Sequence, residues 1–160
     1  MIILGIDPAL TITGYGVINA RGNNLALVEA GIIKTSAKED IPTRLNKIYC
    51  SILKLISDTK PDCLVLEKVY SHYAHPQTAF ILGQARGVIC LATATKKIPL
   101  VEYAATRVKK SVVGAGHASK LQVQRMVIES LGLKITPQYT DVTDALALAI
   151  THSFVIRAKI

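Results

Sequence analysis

Two acidic residues end apolar stretches of the chain, where their carboxylates could serve one reaction. Asp7 closes the run at residues 2–7, and Glu67 closes a second run at residues 62–67. Both runs have the composition of buried β-strands. Because ligands bind beyond the strand ends in open α/β sheets, we expect these two carboxylates to face one cleft.

Asp141 and Asp144 form a second acidic pair, three positions apart. On a helix this spacing places both side chains on one face, one turn apart. Each acid taken alone also has a purely structural interpretation. Thr140 or Asp141 would cap the helix, with Asp144 in its first turn, and a strand-end acid would face solvent or accept loop N–H groups. It is the combination of four acids that favours chemistry.

Four carboxylates at one point would need a cation. Removing an unpaired carboxylate from water costs several kcal/mol, and a metal ion is the simplest compensation. Oxygen ligands without a histidine cluster suit Mg²⁺ or Mn²⁺ better than zinc. Two such ions, about 3.5 to 4 Å apart, activate a water and stabilise the leaving oxygen of a phosphoryl displacement.

The charge balance agrees with an anionic substrate. The 160 residues carry 19 Lys and Arg against 11 Asp and Glu, a net charge of +8. If four acids hold metal, 11 − 4 = 7 remain against 19, which leaves +12 over the rest of the surface. A small acidic focus in a basic field is what a metal-using phosphodiesterase needs. A generic basic domain is the alternative.

Periodicity predicts a single α/β domain over residues 1–160, with a mixed sheet flanked by helices. The predicted strands are residues 2–7, 14–18, 25–34, 62–67 and 100–103. The predicted helices are residues 41–60, 77–97, 104–113, 119–131 and 140–157. Ser119 and Gln122 have the form of a capping box. The acids would thus lie at two strand ends and at the start of the last helix.

The composition also indicates a compartment. Three cysteines, without C-x-x-C spacing, favour a reducing environment and no disulfide framework. The N-terminus lacks the basic region of a signal peptide and soon meets Asp7. The longer apolar stretches are interrupted by Thr, Lys or Arg, so we expect no membrane span and a cytoplasmic protein.

Several motifs in one order give the chain a specific resemblance. They are IDP at residues 6–8, TGYGVI at 13–18, LGQARG at 82–87, EYAA at 102–105, VVGAG at 112–116 and DALALAITH at 144–152. In these motifs the chain resembles the RuvC family of Holliday-junction resolvases from end to end. Three departures stand beside them: Ala9 in place of a common glycine, Lys68 in place of a common glutamine, and an early end after the last helix.

The resemblance implies a ribonuclease-H-like fold with a five-stranded sheet, and a homodimer that nicks four-way DNA junctions symmetrically in recombination and repair. It implies Mg²⁺, with Mn²⁺ as a substitute and two ions per subunit during catalysis. It also implies the branch-migration motor complex as a partner. The metal-binding catalytic acids would be Asp7, Glu67, Asp141 and Asp144.

Further residues are candidates for DNA and dimer contacts. By resemblance Tyr70 would stack on a junction base, unless it only packs at the domain edge. Basic residues beside the 114–116 loop would neutralise phosphates or form a solvated face; they are Arg107, Lys109, Lys110 and Lys120. Gly83 and Gly87 would permit close approach of a second subunit, or only tight packing on the chain's own sheet.

The chain also contains four histidines. His72 and His75 form an H-x-x-H pattern without further zinc ligands, which favours surface histidines. His117 would contact phosphate, and His152 would pack on the last helix.

The competing functions are an RNA:DNA-hybrid nuclease and a binding module without catalysis. An actin-like phosphotransferase needs two lobes, for which 160 residues are too few.

Overall fold

The structure, a computed structural model, describes residues 1–68 and 76–158. The strands are β1 (Ile2–Asp7), β2 (Ile12–Arg21), β3 (Asn24–Lys34), β4 (Cys63–Glu67) and β5 (Leu100–Tyr103). The helices are α1 (Ile41–Thr59), α2 (Pro76–Thr95), α3 (Ala105–Val113), α4 (Lys120–Leu131) and α5 (Thr140–Arg157). The strands form one sheet in the order β3-β2-β1-β4-β5. The predicted mixed five-stranded sheet flanked by helices is confirmed.

The predicted element boundaries differ from the observed ones by a few residues. β2 extends well beyond the predicted 14–18 because it pairs antiparallel with β1 on one side and β3 on the other. α2 ends at Thr95, and Lys97 adopts a left-handed φ of 56° in the turn that follows. Ser119 caps α4 with the predicted capping box. Local sequence thus located the elements, while strand pairing set their ends.

Alternation along the central strands divides the core into two layers. Leu4, Ile6 and Leu66 face the layer that includes α1 and α2. Ile3 and Val65 face the layer of α3, α4 and α5. Because side chains alternate along a strand, Asp7 and Glu67 project toward the α5 layer.

Glycines allow α5 to lie directly against the sheet. A Cβ at Gly5 would stand 2.0 Å from the carbonyl oxygen of Ala145, and one at Gly14 would stand 2.2 Å from that of Asp141. No real Cβ tolerates such a contact with backbone, so any side chain at either position would push the helix away. The close approach sets the first turn of α5 beside the end of β1.

The helix α2 combines a buried face with an exposed apolar one. Ala85, Ile89 and Ala92 are fully buried against the sheet, whereas Phe80 and Leu91 are 70% and 57% exposed. Within the described part of the chain, the segment Gln77–Thr95 is long and apolar enough to cross a membrane by length and composition, with 22% of it buried. Arg86, in the middle of this segment, donates to the carbonyl oxygen of Glu67 on β4.

Candidate active site

The two strand-end acids are neighbours in the fold. β1 and β4 run parallel, and their register pairs Ile6 with Leu66, so Asp7 and Glu67 follow at the same edge of the sheet. Both side chains leave the sheet on the side of α5. The geometry expected from the sequence, two carboxylates at one sheet edge, is therefore present.

The first turns of α5 bring the other two acids to the same place. Asp7 is half-buried, and its pKa is raised to about 7, first by burial and then by Asp144, Asp141 and Glu67 in decreasing order. Lys120 acts in the opposite direction. The other three acids thus lie within electrostatic reach of Asp7, as the sequence predicted. Such a perturbed carboxyl group in a cleft is typical of a functional site.

A cavity of about 350 Å³ opens at this point. Its acidic lining consists of Asp7, Glu67 and Asp144, and its basic lining of Lys68, Lys109 and Lys120. Asp141 is not among its lining residues, so the structure places three of the predicted acids at the cavity and the fourth beside Asp7. Apolar residues of α2, α3, α4 and α5 complete the wall.

Two lysines moderate the negative charge. The Nζ atom of Lys120 lies 3.3 Å from Oδ2 of Asp144, which raises the pKa of this lysine. The pKa of Glu67 is raised by partial removal from water and by Asp144, although Lys120, Lys109 and Arg86 oppose the rise. The cavity therefore combines clustered acids with the lysines Lys109 and Lys120 in its lining.

The start of α5 argues against a capping role for its acids. The N-cap residue is Tyr139, whose side chain makes no capping hydrogen bond. Thr143 instead donates its hydroxyl to the carbonyl oxygen of Thr140, 2.7 Å away. Neither Thr140 nor Asp141 is the N-cap residue, so the capping part of the structural alternative is wrong, although Asp141 does lie in the first turn of the helix.

The donor set fits a hard divalent cation. The acids offer only oxygen ligands. Burial and, after it, repulsion among the acids raise the pKa of Asp7, and a bound cation would counteract both effects. In residues 1–68 and 76–158, no three His, Cys, Asp or Glu side chains are gathered closely enough to enclose an ion without moving. Asp144 is engaged with Lys120. Coordination of one ion by three of these acids would require their carboxylates to come closer together.

The other predicted residues have varied positions. Lys109 lines the cavity, whereas Arg107 and Lys110 are exposed on α3 outside it. His117 is exposed, and His152 is buried, with its Nδ1 atom 2.8 Å from the hydroxyl of Tyr103. The predictions for Tyr70, His72 and His75 fall outside the described residues.

A buried arginine holds the loop that follows Asp7, and the sequence analysis did not identify it. Arg44 donates from Nε to the hydroxyl of Thr35 at 2.9 Å and from Nη2 to that of Thr11 at 3.1 Å. Thr35 in turn donates to the carbonyl oxygen of Leu10 at 2.5 Å. The network ties α1 and the end of β3 to this loop. Its only signal in the sequence was an arginine on the apolar face of a predicted helix.

The raised pKa of Asp7 has a consequence for stability. Between pH 3.8 and about 7 the native state keeps a proton on Asp7 that the unfolded chain has lost, so the free energy of unfolding should fall as the pH rises through this window and level off above it. The effect should be on the order of a few kcal/mol. Thermal unfolding in EDTA at pH 5 and pH 8 measures it.

Thermal unfolding of the Asp7→Asn variant under the same conditions is the control. The stability of the variant relative to the unaltered protein should increase with pH, because asparagine carries no charge to be repelled. Equal pH dependence of the two proteins would contradict the assignment of this proton to Asp7.

The sheet order, the helices on both faces and the acids at strand ends define the ribonuclease-H-like class of α/β proteins. A comparison with protein families identifies one family within this class. A family model described as crossover junction endodeoxyribonuclease RuvC matches residues 3–152. The chain belongs to this family.

Individual relatives show how far the similarity extends. The chain is 48% identical over 151 residues to crossover junction endodeoxyribonuclease RuvC of Photorhabdus laumondii, with 94% of this chain and 86% of the relative covered. A structure of Thermus thermophilus RuvC in complex with Holliday junction substrate matches with a TM-score of 0.94 and 32% identity, over 99% of this chain and 96% of that one. Another Thermus thermophilus RuvC structure gives a TM-score of 0.91 and 31% identity, over 99% and 97%.

Proposed function

We propose that this protein is a structure-selective endonuclease that resolves four-way (Holliday) DNA junctions in recombination and repair. The observation that carries the proposal is the convergence of acids from β1, β4 and α5 at one cavity, in a chain that belongs to the RuvC family. The relatives at about the same length bear the corresponding name. The net charge of +8 supplies attraction for DNA.

The metal ligands we propose are Asp7, Glu67, Asp141 and Asp144, with Mg²⁺ as the ion, Mn²⁺ as its substitute and two ions during catalysis. When bound, such ions supply an activated water and stabilise the leaving oxygen of the phosphodiester. The chain contributes the rest. Asp7 and Glu67 are fixed by the ends of two paired strands, and Asp144 by a helix that packs on both. Hydrolysis would leave 5′-phosphate and 3′-hydroxyl ends.

Basic residues would hold the DNA around this cavity. Lys109 and Lys120 line it and would contact the phosphate that is cut. Arg107 and Lys110, exposed on the same helix as Lys109, would contact neighbouring phosphates. Tyr70 would stack on a base near the junction point. Phosphate contacts of this kind give affinity and position rather than sequence selection.

We also propose that two copies associate through the exposed apolar face of α2. Phe80, Gly83, Gly87 and Leu91 are exposed and follow each other at helical spacing along this face. Among the described residues, a Cβ at Gly83 or Gly87 would meet no atom within 4 Å, so tight packing on the chain's own sheet does not explain either glycine. A twofold dimer would offer two sites to a junction of matching symmetry and so permit paired nicks.

Leu91→Lys should therefore weaken the dimer by more than tenfold, because it places a charge in an apolar contact. Sedimentation equilibrium at several protein concentrations measures the association. Ile135→Lys is the control, since Ile135 is 83% exposed in a loop away from α2. An unchanged association constant for Leu91→Lys would contradict the assignment of this face.

Cleavage of a synthetic four-way junction tests the proposed function directly. The protein should cut the junction in Mg²⁺ or Mn²⁺ and not in EDTA, and should leave a linear duplex of the same sequence intact. An RNA:DNA hybrid is included because a hybrid nuclease is the competing activity on this fold. Preferential cutting of the hybrid, or junction binding without cutting in any metal, would overturn the proposal.

Two further parts of the proposal concern the setting of the reaction. We propose a cytoplasmic protein that acts with the branch-migration motor complex. Support comes from the reaction itself, because movement of the branch point brings new phosphodiesters to the cavity. Co-purification of the motor with the junction-bound dimer is the measurement for that partner.

A further inference from the structure

A guanidinium group lies behind the catalytic edge of the sheet. Arg86, in the middle of α2, donates from Nη1 to the main-chain carbonyl oxygen of Glu67, 2.8 Å away. Its Nη2 atom forms an ion pair with the carboxylate of Glu102 on β5. The Arg86 side chain is only 14% exposed. One side chain thus joins α2, β4 and β5 at the residue that carries a cavity carboxylate.

We propose that Arg86 is a positioning residue, which fixes the end of β4 so that the Glu67 carboxylate is aimed at the metal ions. The inference rests on the proposed function, since it concerns the site that would hold those ions. It goes beyond that function because Arg86 is not among the residues that line the cavity. Its charge acts on the main chain of a ligand residue from the opposite face of the sheet.

A main-chain hydrogen bond to β5 also holds the end of β4. The N–H group of Lys68 donates to the carbonyl oxygen of Tyr103 at 2.8 Å, which is the last hydrogen bond of the β4–β5 ladder. The Glu67 carbonyl stands at the point where β4 ends. Without Arg86, this carbonyl would lose its guanidinium donor, and the strand end would be freer to rotate. Any such rotation would move the Glu67 side chain directly.

Arginine suits this role better than lysine. Its planar fork directs separate N–H groups to two acceptors, here a carbonyl on β4 and a carboxylate on β5. A lysine ammonium is a compact charge on a flexible stem and would not fix both strands in one plane. Groups that orient a metal ligand from behind typically change metal affinity or activity by about 10- to 100-fold when they are altered.

The alternative is a purely structural ion pair, whose loss would lower stability without altering the metal site. Three variants separate the two roles. Arg86→Lys keeps the charge and removes the fork, Arg86→Met removes both, and Glu102→Gln weakens only the anchor on β5. Lys54→Met is the matched control, because it removes a positive charge from an exposed ion pair with Asp58 on α1.

Three measurements are made on the full chain. Mn²⁺ binding is followed by electron paramagnetic resonance without DNA, thermal unfolding is followed in EDTA, and junction cleavage is titrated with Mg²⁺. We expect the affinity of Arg86→Lys for Mn²⁺ to fall by about 10-fold or more. This variant should also need correspondingly more Mg²⁺ for half-maximal cleavage. Glu102→Gln should shift both in the same direction by a smaller factor, and Lys54→Met should shift neither.

Unchanged Mn²⁺ binding in Arg86→Lys and Glu102→Gln would overturn the positioning role, whatever happens to their unfolding temperatures. If an Arg86 variant does not fold, Glu102→Gln decides, because it keeps Arg86 and weakens the ion pair that holds the guanidinium in place on β5. Failure of the proposed function has a different signature: the unaltered protein itself would neither bind Mn²⁺ at these acids nor cut the junction.

Discussion

Asp7→Asn should reduce the rate of junction cleavage by more than about 100-fold while leaving junction binding within a few-fold of the unaltered protein. Changes to groups that merely support a metal ligand already cost about 10- to 100-fold, and loss of a ligand should cost more. Asp7 lies at the centre of the acidic cluster, where Asp144, Asp141 and Glu67 all act on it. Single-turnover cleavage in Mg²⁺ and a gel-shift assay in EDTA provide the two measurements.

Asp58→Asn is the matched control, since it makes the same chemical change at an exposed position on α1. Its cleavage rate should be unchanged. Turnover by Asp7→Asn in Mg²⁺ at a rate near that of the unaltered protein would remove Asp7 from the set of metal ligands. Loss of junction binding together with cleavage would instead indicate that the substitution disrupts the fold.

The second large effect concerns a residue without a side chain. Gly5→Ala should destabilise the protein by about 3 kcal/mol or more, at or above the upper end for overpacking of a core. The added methyl group would stand 2.0 Å from the carbonyl oxygen of Ala145 and 3.1 Å from the N atom of Ala149. Both are main-chain atoms of α5, which would have to move as a body.

That movement should also impair catalysis, because α5 carries Asp141 and Asp144. We expect Gly5→Ala to need more Mg²⁺ for half-maximal cleavage, at temperatures where the variant is still folded. Urea unfolding gives the stability, and a Mg²⁺ titration gives the second effect. Gly116→Ala is the control, because its methyl group would meet the carbonyl oxygen of Thr106 at an ordinary 3.6 Å. Similar stability of the two variants would show that α5 can shift without cost.

In both predictions, the packing that stabilises the fold also places the acids in an unfavourable arrangement. Packing of α5 on β1 and β2 stabilises the core, yet it also brings like charges together around Asp7. The metal-free protein should therefore gain stability when Asp7 becomes neutral, although it loses its activity. Such opposition between stability and activity is common where a reaction needs concentrated charge.

The sequence alone determined the secondary structure elements, the positions of the four acids along the chain and the family. Alternating and helical apolar patterns located every strand and helix of the described chain within a few residues, because burial of one face imposes its period on the residues. The strand-end positions of Asp7 and Glu67 and the spacing of Asp141 and Asp144 could be read in the same way. The order of the motifs was enough to indicate the family.

Other features were decided only by the tertiary structure. The role of Arg86 depends on α2 passing behind β4 and β5, and the role of Arg44 depends on a loop and a strand end that lie far from it in sequence. The need for glycine at Gly5 follows from a helix some 140 residues away. Local propensity contains no information about such contacts, because they are set by which elements pack together and not by the residues beside them.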